Sequence, residues 1–384
     1  MRKFCFFSLF VFLLLTACAE NDGQEAGQQS DYHSSVEEKA SEWLTPSITV
    51  AAVGDVLIHD RVYDGAWNGE RYDFQPMLEE VKPFLSEPSI TMANQETIMG
   101  GEELGLSGYP QFNSPYEIGA DLQDAGVDMV TMANNHTLDA GEEAIQNAIS
   151  QYEQIGMPYT GAFKSEADQD NIRVLDTEQG ISIAFLSYTY GTNGIPVPTG
   201  KDYLVNFLDR EQMADEVERA EDLADITIVS IHAGQEEQRT PNQEQRDWAQ
   251  YAADLGVEVV IGHHPHVLQP VEWLEGKDGQ PTLAAYSLGN FLSGQYQFYN
   301  RIGGVLQFDV VKEDNQTRIE APRFLSTFVE FEEDGDILRD LRVVPLEAVA
   351  VEQMEEDPEQ TLTDIEAHMS QYMPSLEFIR KGAE

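Results

Sequence analysis

Five short polar clusters, each placed directly after a run of strand-forming residues, constrain the fold of this chain more than any other sequence feature. They are Gly54-Asp55 with His59, Asn94-Gln95-Glu96, Asn134-Asn135-His136, His232-Ala233-Gly234, and Gly262-His263-His264-Pro265-His266. The carboxyl ends of parallel strands in an α/β sheet converge on one crevice, so clusters distant in sequence become neighbours there. Imidazole, carboxylate and amide oxygen together suit divalent metal ions. We therefore expect two such ions, without distinguishing Mn, Zn, Fe and Mg.

Strand and helix patterns alternate from residue 48 to residue 261, which predicts an α/β domain with parallel strands. Ser114 and Glu117 form a predicted capping box, with Pro115 at the first helical position. The predicted strands are 48–53, 90–93, 129–133, 181–187, 226–231 and 259–261, and the predicted helices are 76–85, 115–125, 142–155, 211–223 and 243–255.

The helical period is lost after Pro281, and β segments with short turns take its place. We expect them to form a second, antiparallel part that packs on the first. Residues 351–379 are acidic with a helical pattern, and their Met-rich apolar positions are expected to cover the sheet. The predicted β segments are 283–288, 304–311, 318–324 and 341–344.

The amino-terminal segment has the pattern of a bacterial lipoprotein signal. Arg2-Lys3 precede an apolar run that is too short to span a bilayer and that ends in Leu15-Thr16-Ala17-Cys18. This ending resembles a lipobox, so residues 1–18 are expected to be the signal and Cys18 a lipid anchor at the outer side of the cell membrane. An ordinary signal peptide cut elsewhere and an uncleaved anchor are the alternatives. Residues 19–45, rich in Glu, Gln, Ser, Gly and Asp, are expected to be a flexible acidic tether.

The chain is strongly acidic, with 22 Lys and Arg against 69 Asp and Glu and a formal net charge of -47. Such a surface repels nucleic acid, so no nucleic-acid partner is expected. An acidic exterior suited to a saline or alkaline medium is the simplest explanation of the charge. An anionic substrate would be opposed by the global field, and bound metal ions would have to supply the local positive charge.

The histidine-rich cluster at residues 262–266 is the strongest single indication of a metal site. Three histidines in four positions have no useful packing role, and they would repel one another if protonated. The other clusters have structural alternatives when they are taken singly. Asn135 could cap a helix beside an exposed His136, and His232 could be a hydrogen-bonded core residue. Gly234 allows close backbone approach, and Glu236 is near enough to support a ligand.

Six ordered motifs resemble those of the CapA proteins of poly-γ-glutamate capsule biosynthesis, whose fold is similar to that of calcineurin-like metallophosphoesterases. The resemblance spans about residues 47–291, and it implies a layered sandwich of mixed β-sheets flanked by helices. We expect this domain to cover residues 46–345 and an acidic helical segment to follow at 346–384. The motifs are Gly54-Asp55, Asn94-Gln95-Glu96, Asn134-Asn135-His136, His232 to Glu236 with Pro241, Gly262 to His266, and Ser287-Leu288-Gly289-Asn290-Phe291.

The resemblance also implies roles for individual residues. His136 is in the position of a proton donor, and Glu96 in that of a bridging carboxylate. His59 follows Asp55 by four residues, where the phosphoesterase pattern has its first histidine after two. The implied metal ligands are Asp55, His59, Glu96, Asn135, His232, His264 and His266, and the residues expected to support them are Asn94, Asn134, Glu236 and His263.

These features lead to one main functional hypothesis. The chain is expected to be a membrane-tethered, extracytoplasmic protein in the synthesis, export or surface retention of poly-γ-glutamate or a similar anionic polymer, with a metal-dependent hydrolase or transferase site. Membrane-bound polymer synthase subunits are expected partners. The alternatives are a non-catalytic polymer-binding or synthase-assembly subunit and a secreted general metallophosphoesterase.

Overall fold

Two mixed β-sheets form the centre of the fold, and helices cover the outer face of each sheet. The computed structural model describes residues 45–314, 316–355 and 357–380. The predicted signal peptide, Cys18 and the tether up to residue 44 lie outside the described residues. Among the described residues, no helix combines the length and the apolar composition needed to cross a membrane.

The elements of the first half are β1 (Ser47–Leu57), α1 (Asp60–Ala66), α2 (Gln75–Leu78), α3 (Lys82–Ser86), β2 (Ile90–Gln95), α4 (Glu117–Ala125), β3 (Met129–Thr131), α5 (Gly141–Ile155), β4 (Tyr159–Thr160), α6 (Glu166–Gln169), β5 (Arg173–Asp176) and β6 (Ser182–Thr189). Those of the second half are α7 (Arg210–Glu221), β7 (Ile226–His232), α8 (Gln243–Leu255), β8 (Val259–His263), β9 (Leu268–Glu275), β10 (Pro281–Leu288), β11 (Asn290–Ser293), β12 (Ile302–Glu313), β13 (Gln316–Asp334), β14 (Ile337–Pro345), α9 (Pro358–Met369) and β15 (Glu377–Phe378).

The first sheet has the strand order β14-β13-β12-β1-β2-β3-β4, with β11 beside β1 and β15 beside β13. Its strands β1 to β4 are parallel, whereas β1, β12, β13 and β14 pair antiparallel in turn. The second sheet has the order β5-β6-β7-β8-β10-β9, in which β6, β7, β8 and β10 are parallel. In each sheet, therefore, the carboxyl ends of several parallel strands lie at the same edge.

The core is layered because successive side chains of a strand point to opposite faces. Val50 and Ala52 of β1 belong to the core between the sheets, which also contains Phe185 of the second sheet. Ala51 and Val53 pack instead towards the helices that cover the first sheet. Full burial of one such large apolar side chain contributes roughly 1.5–3 kcal/mol. The structure thus confirms the predicted α/β sandwich of mixed sheets flanked by helices.

Several predicted elements agree closely with the structure. The predicted helix 243–255 is α8, and Asn242 caps it with a complete capping box. The helix predicted at 142–155 begins one residue earlier, at Gly141. Gly156 and Gly256 end these two helices in the left-handed conformation that favours glycine.

The helix predicted at 76–85 is wrong, since two short helices, α2 and α3, occupy this segment. Pro83 lies near the start of α3, where its missing amide hydrogen is tolerated, but it could not occupy the interior of one continuous helix. The predicted capping box is also wrong. Helix α4 begins at Glu117, and the Ser114 hydroxyl donates instead to the carbonyl oxygen of Ile98 at 3.1 Å.

The strands predicted after Pro281 exist, but they do not form a second part that packs on the first. β12 pairs antiparallel with β1 and extends the first sheet, while β10 pairs parallel with β8 and extends the second. An unpaired strand edge presents free amide and carbonyl groups, so later strands are favourably added there. The sequence pattern also missed α1, β5, β9 and β11.

The predicted carboxy-terminal helix is much shorter in the structure than its pattern, which covered residues 351–379. Within the described part of this segment only α9 is α-helical, because Pro358 lies at its start and Pro374 cannot lie within a continuing helix. Ile365, Met369 and Met373 are buried against the core between the sheets. The prediction that Met-rich positions of this segment cover the sheet is therefore confirmed.

Candidate metal centre

The five polar clusters meet where the carboxyl strand ends of the two sheets lie together. Asp55 of the first sheet and His263 of the second approach each other, with 3.0 Å between Oδ1 and Nδ1. Asn94, at the end of β2, lies with its Nδ2 3.4 Å from the Nδ1 of His232, which ends β7. The prediction of one crevice is thus correct, but two sheets and not one supply its walls.

Asp55 is placed by a close approach of two backbones. Its amide donates to the carbonyl oxygen of Gly289 at 2.9 Å. A Cβ at the preceding residue, Gly54, would lie only 2.0 Å from that same oxygen, so glycine is required there. The Gly-Asp motif and the Ser-Leu-Gly-Asn-Phe motif therefore interlock in the structure.

The Asp55 carboxylate is fully buried and surrounded by donors. Asn94 Nδ2 donates to its Oδ1 at 2.8 Å, and the Nδ1 of His266 lies 3.2 Å from its Oδ2. Burial by itself would raise the pKa of Asp55. Hydrogen bonds from His263 and His266 outweigh that effect and hold the pKa well below its usual value. Asp55 is therefore a carboxylate at neutral pH.

The Glu96 carboxylate is fully buried, and neither of its oxygens has a hydrogen-bond partner within the described part of the chain. Its Oε1 lies 3.6 Å from the Nε2 of His232 and 3.5 Å from the Nε2 of His266. Burial raises the pKa of Glu96 well above its usual value. The negative charge of Asp55 adds to this rise, and His266 opposes it. A buried carboxylate without a donor is costly, and a cation between these side chains would offset that cost.

His264 and His266 are held in unusual backbone conformations, with φ of 99° and 57°. Such conformations cost roughly 1–3 kcal/mol each and cluster at functional sites. Burial, with His266 beside it, lowers the pKa of His264 to about 3. Burial alone would lower the pKa of His266 too, but Glu96 and Asp55 raise it to about 10. His264 is thus neutral, as metal ligation requires, while His266 carries a positive charge that compensates the nearby carboxylates, and a metal ion bound to His266 would have to displace its proton.

Three groups of donor atoms lie in this crevice. Within each group, all the donor atoms lie within 4.8 Å of one another. Glu96, His264 and His266 each belong to two of the groups, so the groups adjoin. Nδ1 of His264 and Nε2 of His263 are buried without a hydrogen-bond partner among the described residues. The groups are Asp55, Glu96 and His266; Glu96, His232 and His264; and Glu236, His264 and His266.

This donor set fits divalent metal ions. Carboxylate oxygen and imidazole nitrogen are ligands that Mn, Zn and Fe accept in proteins. The carboxylate oxygens of Glu96, the Nε2 of His263 and the Nδ1 of His264 are buried polar atoms without a hydrogen-bond partner among the described residues. Glu236 was expected only to support a ligand, but its carboxylate is exposed and belongs to a donor group.

Asn135 and His232 lie together across the two sheets. The Nε2 of His232 is 2.7 Å from the Oδ1 of Asn135. Burial lowers the pKa of His232 well below its usual value, and the neighbouring His264 contributes to this effect. Asn134 instead shapes its own loop, because its Oδ1 accepts from the amide of His136 at 2.9 Å. Asn135 thus lies beside the donor groups and Asn134 supports the loop that carries it, while the ligand role predicted for Asn135 remains a prediction.

His136 is oriented by Asp139, a residue that the sequence patterns did not identify. Its Nδ1 lies 2.6 Å from the Oδ2 of Asp139, and its ring meets the edge of Phe112 with 4.7 Å between ring centroids. The Asp139 side chain is fully buried and also accepts from the Phe112 amide at 2.8 Å. A histidine held in this way by a carboxylate can carry and deliver a proton. The spacing of three residues was the only sequence signal for this pair.

His59 lies at the edge of the crevice. Its Nδ1 is 3.0 Å from the carbonyl oxygen of Leu57 and 3.2 Å from the amide nitrogen of Gly294. Burial lowers its pKa to about 4. His59 belongs to none of the three donor groups found among the described residues, so its predicted ligand role remains a prediction.

Two further residues contact the site but were assigned no role from the sequence. Asn290 belongs to the Ser-Leu-Gly-Asn-Phe motif, and its Oδ1 lies 3.1 Å from the Nδ1 of His266. Tyr190 covers His264, with 4.8 Å between ring centroids, and its side chain is partly exposed. No local pattern around Tyr190 indicates this contact, because it depends on the turn after β6.

Comparisons with known proteins agree with the motifs. The family model described as bacterial capsule synthesis protein PGA_cap matches residues 49–295. PGA biosynthesis protein CapA of Bacillus subtilis (strain 168) is 30% identical over 192 residues, which cover 50% of this chain and 49% of that protein. Capsule biosynthesis protein CapA of Bacillus anthracis is 25% identical over 282 residues, which cover 71% of this chain and 66% of that protein. The matches thus span about half to two thirds of these relatives, and they confirm the resemblance to CapA proteins.

Two solved structures are also similar. One is a phosphatase from Mycoplasma pneumoniae, with 14% identity and a TM-score of 0.46, covering 73% of this chain and 94% of that chain. The other is the calcineurin-like phosphoesterase YfkN from Bacillus subtilis, with 15% identity and a TM-score of 0.44, covering 73% of this chain and 90% of that chain.

Proposed function

This chain belongs to the bacterial capsule synthesis protein family PGA_cap, and on that premise we propose that it acts on poly-γ-glutamate or a similar anionic polymer. The proposed role is in synthesis, export or surface retention of the polymer, through a site that binds two divalent metal ions. The single observation that carries the metal proposal is Glu96, whose buried carboxylate has no protein donor in the described structure and is shared by two donor groups.

The donor groups support an assignment of ligands. Asp55, Glu96 and His266 would hold one ion, and Glu96, His232 and His264 the other, since Glu96 belongs to both donor groups. Asn135 lies beside the second group through its contact with His232. Bound divalent ions supply Lewis acidity and lower the pKa of water, which is the chemistry needed for hydrolysis or group transfer.

The chain's own residues would perform the remaining steps. His136, oriented by Asp139, is placed to protonate a leaving group as a phosphoryl or amide bond breaks. Phe112 packs edge-on against the rings of both His136 and His59, and so limits access of water on that side. His263 and Asn94 fix the Asp55 carboxylate from opposite sheets. The proposed activity is therefore that of a metal-dependent hydrolase or transferase.

The proposed location is the outer side of the cell membrane, with Cys18 as the lipid anchor. The support is the charged start, the short apolar run and the Leu-Thr-Ala-Cys ending of the sequence. A Cys18→Ala variant is expected to leave the membrane fraction, whereas wild-type protein stays with it. Equal membrane association of both proteins would contradict a lipid anchor at this residue.

A complementation experiment tests the function. A capsule-forming host that lacks its own family member would receive wild-type protein, His264→Ala or His136→Gln, and surface polymer would be measured. The proposal predicts loss of polymer in both variants at normal protein levels. Normal polymer in both variants would contradict a metal-dependent role and favour a binding or assembly subunit.

A substrate panel separates polymer chemistry from general phosphoesterase activity. Purified protein loaded with Mn²⁺ or Zn²⁺ would be offered γ-linked glutamate oligomers and simple phosphate esters. Cleavage of the oligomers alone supports the proposed function. Cleavage of phosphate esters alone would replace it with a general metallophosphoesterase.

A further inference from the structure

The side chain of Arg61 is unusual in this acidic protein. Two of its guanidinium nitrogens, Nε and Nη1, are buried without a hydrogen-bond partner in the described residues. No carboxylate within the described ranges forms an ion pair with it, although the chain has 69 acidic residues. Arg173 and Arg246, by contrast, pair with Asp168 and Glu272.

The contacts of Arg61 do not satisfy its charge. The guanidinium carbon lies 4.1 Å from the centre of the Tyr296 ring, a cation–π contact that gives the Nε and Nη1 donors no acceptor. The adjacent carboxylate of Asp60 accepts from the backbone amide of Arg61 at 2.9 Å. Arginine has five N–H donors, and donors removed from water without a partner carry an energetic cost. The side chain is therefore prepared for an acceptor that the described part of the chain does not provide.

Arg61 is connected to the metal centre through a short segment after β11. The amide of Gly294 lies 3.2 Å from the Nδ1 of His59, and a Cβ at Gly294 would lie 2.9 Å from the Cγ of Arg61. The absence of a side chain at Gly294 thus lets the stem of Arg61 lie against the backbone beside His59. Two residues later, Tyr296 supplies the ring under the guanidinium group.

The same segment also contacts the donor groups themselves. Asn290 Nδ2 donates to Gln295 Oε1 at 2.8 Å, and Asn290 Oδ1 lies 3.1 Å from the Nδ1 of His266. Gln295 lies between Gly294 and Tyr296 in sequence. One continuous stretch therefore joins His266, His59 and Arg61, which places the unpaired cation on the His59 side of the crevice.

We propose that Arg61, supported by Tyr296, binds an oxyanion of the substrate beside the metal centre. This inference rests on the proposed function and specifies it: the substrate carries a second anionic group next to the bond that reacts. The carboxylates of a γ-linked glutamate polymer satisfy this requirement, and so do the phosphates of a polyphosphate. A local cation is needed for either class, because the net charge of -47 opposes both.

Direct binding measurements on the metal-loaded full-length protein test the inference. The ligands are a γ-linked glutamate oligomer, the same oligomer with its carboxylates converted to amides, and polyphosphate. Arg61→Met keeps the apolar stem and removes the charge, while Arg61→Lys keeps a charge without the planar donor group. Arg210→Met is the matched control, because Arg210 is exposed and also stacks on an aromatic ring, that of Tyr251 at 4.2 Å.

The wild type is expected to bind the anionic oligomer more tightly than the amide oligomer, in spite of its own negative charge. Arg61→Met should weaken binding of the anionic oligomer by about 10–100-fold, with metal content unchanged. Arg61→Lys should give an intermediate loss, and Arg210→Met less than about a twofold change. Equal losses in Arg61→Met and Arg210→Met would overturn the inference, since the effect would then be general charge.

The ligand comparison, made with the wild type and with Arg61→Met, separates the possible failures. If the wild type binds the acidic and amide oligomers equally, the polymer proposal stands and the Arg61 inference is wrong. If only polyphosphate binds, and Arg61→Met weakens it, the oxyanion site stands and the proposed polymer is wrong. If Arg61→Met folds, retains its metal and binds every ligand like the wild type, Arg61 has only a structural role.

Discussion

Asp55 and His263 join the two sheets at their carboxyl edge, with 3.0 Å between the Oδ1 of Asp55 and the Nδ1 of His263. Both side chains are buried, so the contact is shielded from water. The contact brings together residues separated by about two hundred positions, and it holds the donor groups of both sheets in one crevice. The predictions below test this arrangement and its surroundings.

Substituting Asp55 by Asn should remove both metal binding and stability. The amide has one acceptor oxygen in place of two, and it would leave His266 without the carboxylate that now compensates it. We expect metal affinity to fall by at least about tenfold and the free energy of unfolding to fall by roughly 3–5 kcal/mol. Metal titration and thermal unfolding would measure both effects. The exposed Asp64→Asn on α1 is the control, and a similar loss there would contradict a specific role for Asp55.

Substituting Asp139 by Asn should separate proton transfer from metal binding. The change weakens the contact that orients His136, while the donor groups remain intact. We expect activity to fall by about 10²–10⁴-fold, the usual contribution of a general acid or base, with normal metal content. The pH dependence of the remaining activity should also change. A variant with wild-type rate and pH profile would show that His136 does not need this partner.

Substituting Gly54 by Ala should disrupt the contact between the two backbones at Asp55. The added Cβ would lie 2.0 Å from the carbonyl oxygen of Gly289, so β1 or the residue 289 turn must move. We expect unfolding free energy to fall by at least about 3 kcal/mol, measured by chemical denaturation. Gly191→Ala is the matched control, because nothing lies within 4 Å of its added Cβ. Equal stability of the two variants would contradict the close approach.

Glu258 provides a pH-dependent prediction at the start of β8, the end of that strand opposite the crevice. Burial raises its pKa from 4.5 to about 7, although the amide of Thr227 donates to it at 2.8 Å. The folded protein therefore binds this proton more tightly than the unfolded chain. The resulting stabilisation is complete below pH 4.5 and is lost as the pH rises through 7.

Substituting Glu258 by Gln should accordingly stabilise the protein at pH 8 by about 1–3 kcal/mol and have little effect at pH 4. Glutamine keeps an acceptor for the Thr227 amide, so only the charge changes. Denaturation at both pH values would measure the difference, with the exposed Glu178→Gln as control. A gain of the same size at both pH values would contradict the explanation by burial of charge.

The sequence was sufficient to predict the strands that carry the site and most of its donors. Apolar runs such as Ile226–His232 end directly in polar clusters, and this local pattern survives folding because both faces of these strands are buried. The pattern did not show that β7 and β1 belong to different sheets. That assignment depends on which strand edges pair, and distant strands such as β12 decide it.

Local sequence patterns gave too little information to predict the contacts of three residues, Asp139, Tyr190 and Arg61. Asp139 contacts His136 because the turn after β3 brings them together, and Tyr190, which follows β6, reaches His264, which follows β8 of the same sheet. Arg61 is distinguished by the absence of a partner in the described residues, a property that no sequence pattern displays. The contacts of Tyr190 and Arg61 join segments far apart in the chain, whereas that of Asp139 depends on the conformation of its own turn.

Anomalous X-ray diffraction from crystals soaked in Mn²⁺ or Zn²⁺ tests the central claim most directly. Two anomalous peaks are predicted, both within ligand distance of Glu96, with Asp55 and His266 at one and His232 and His264 at the other. Crystals of Glu96→Gln should show weaker peaks or only one. Ordered wild-type crystals without any anomalous peak beside Glu96 would contradict the metal centre.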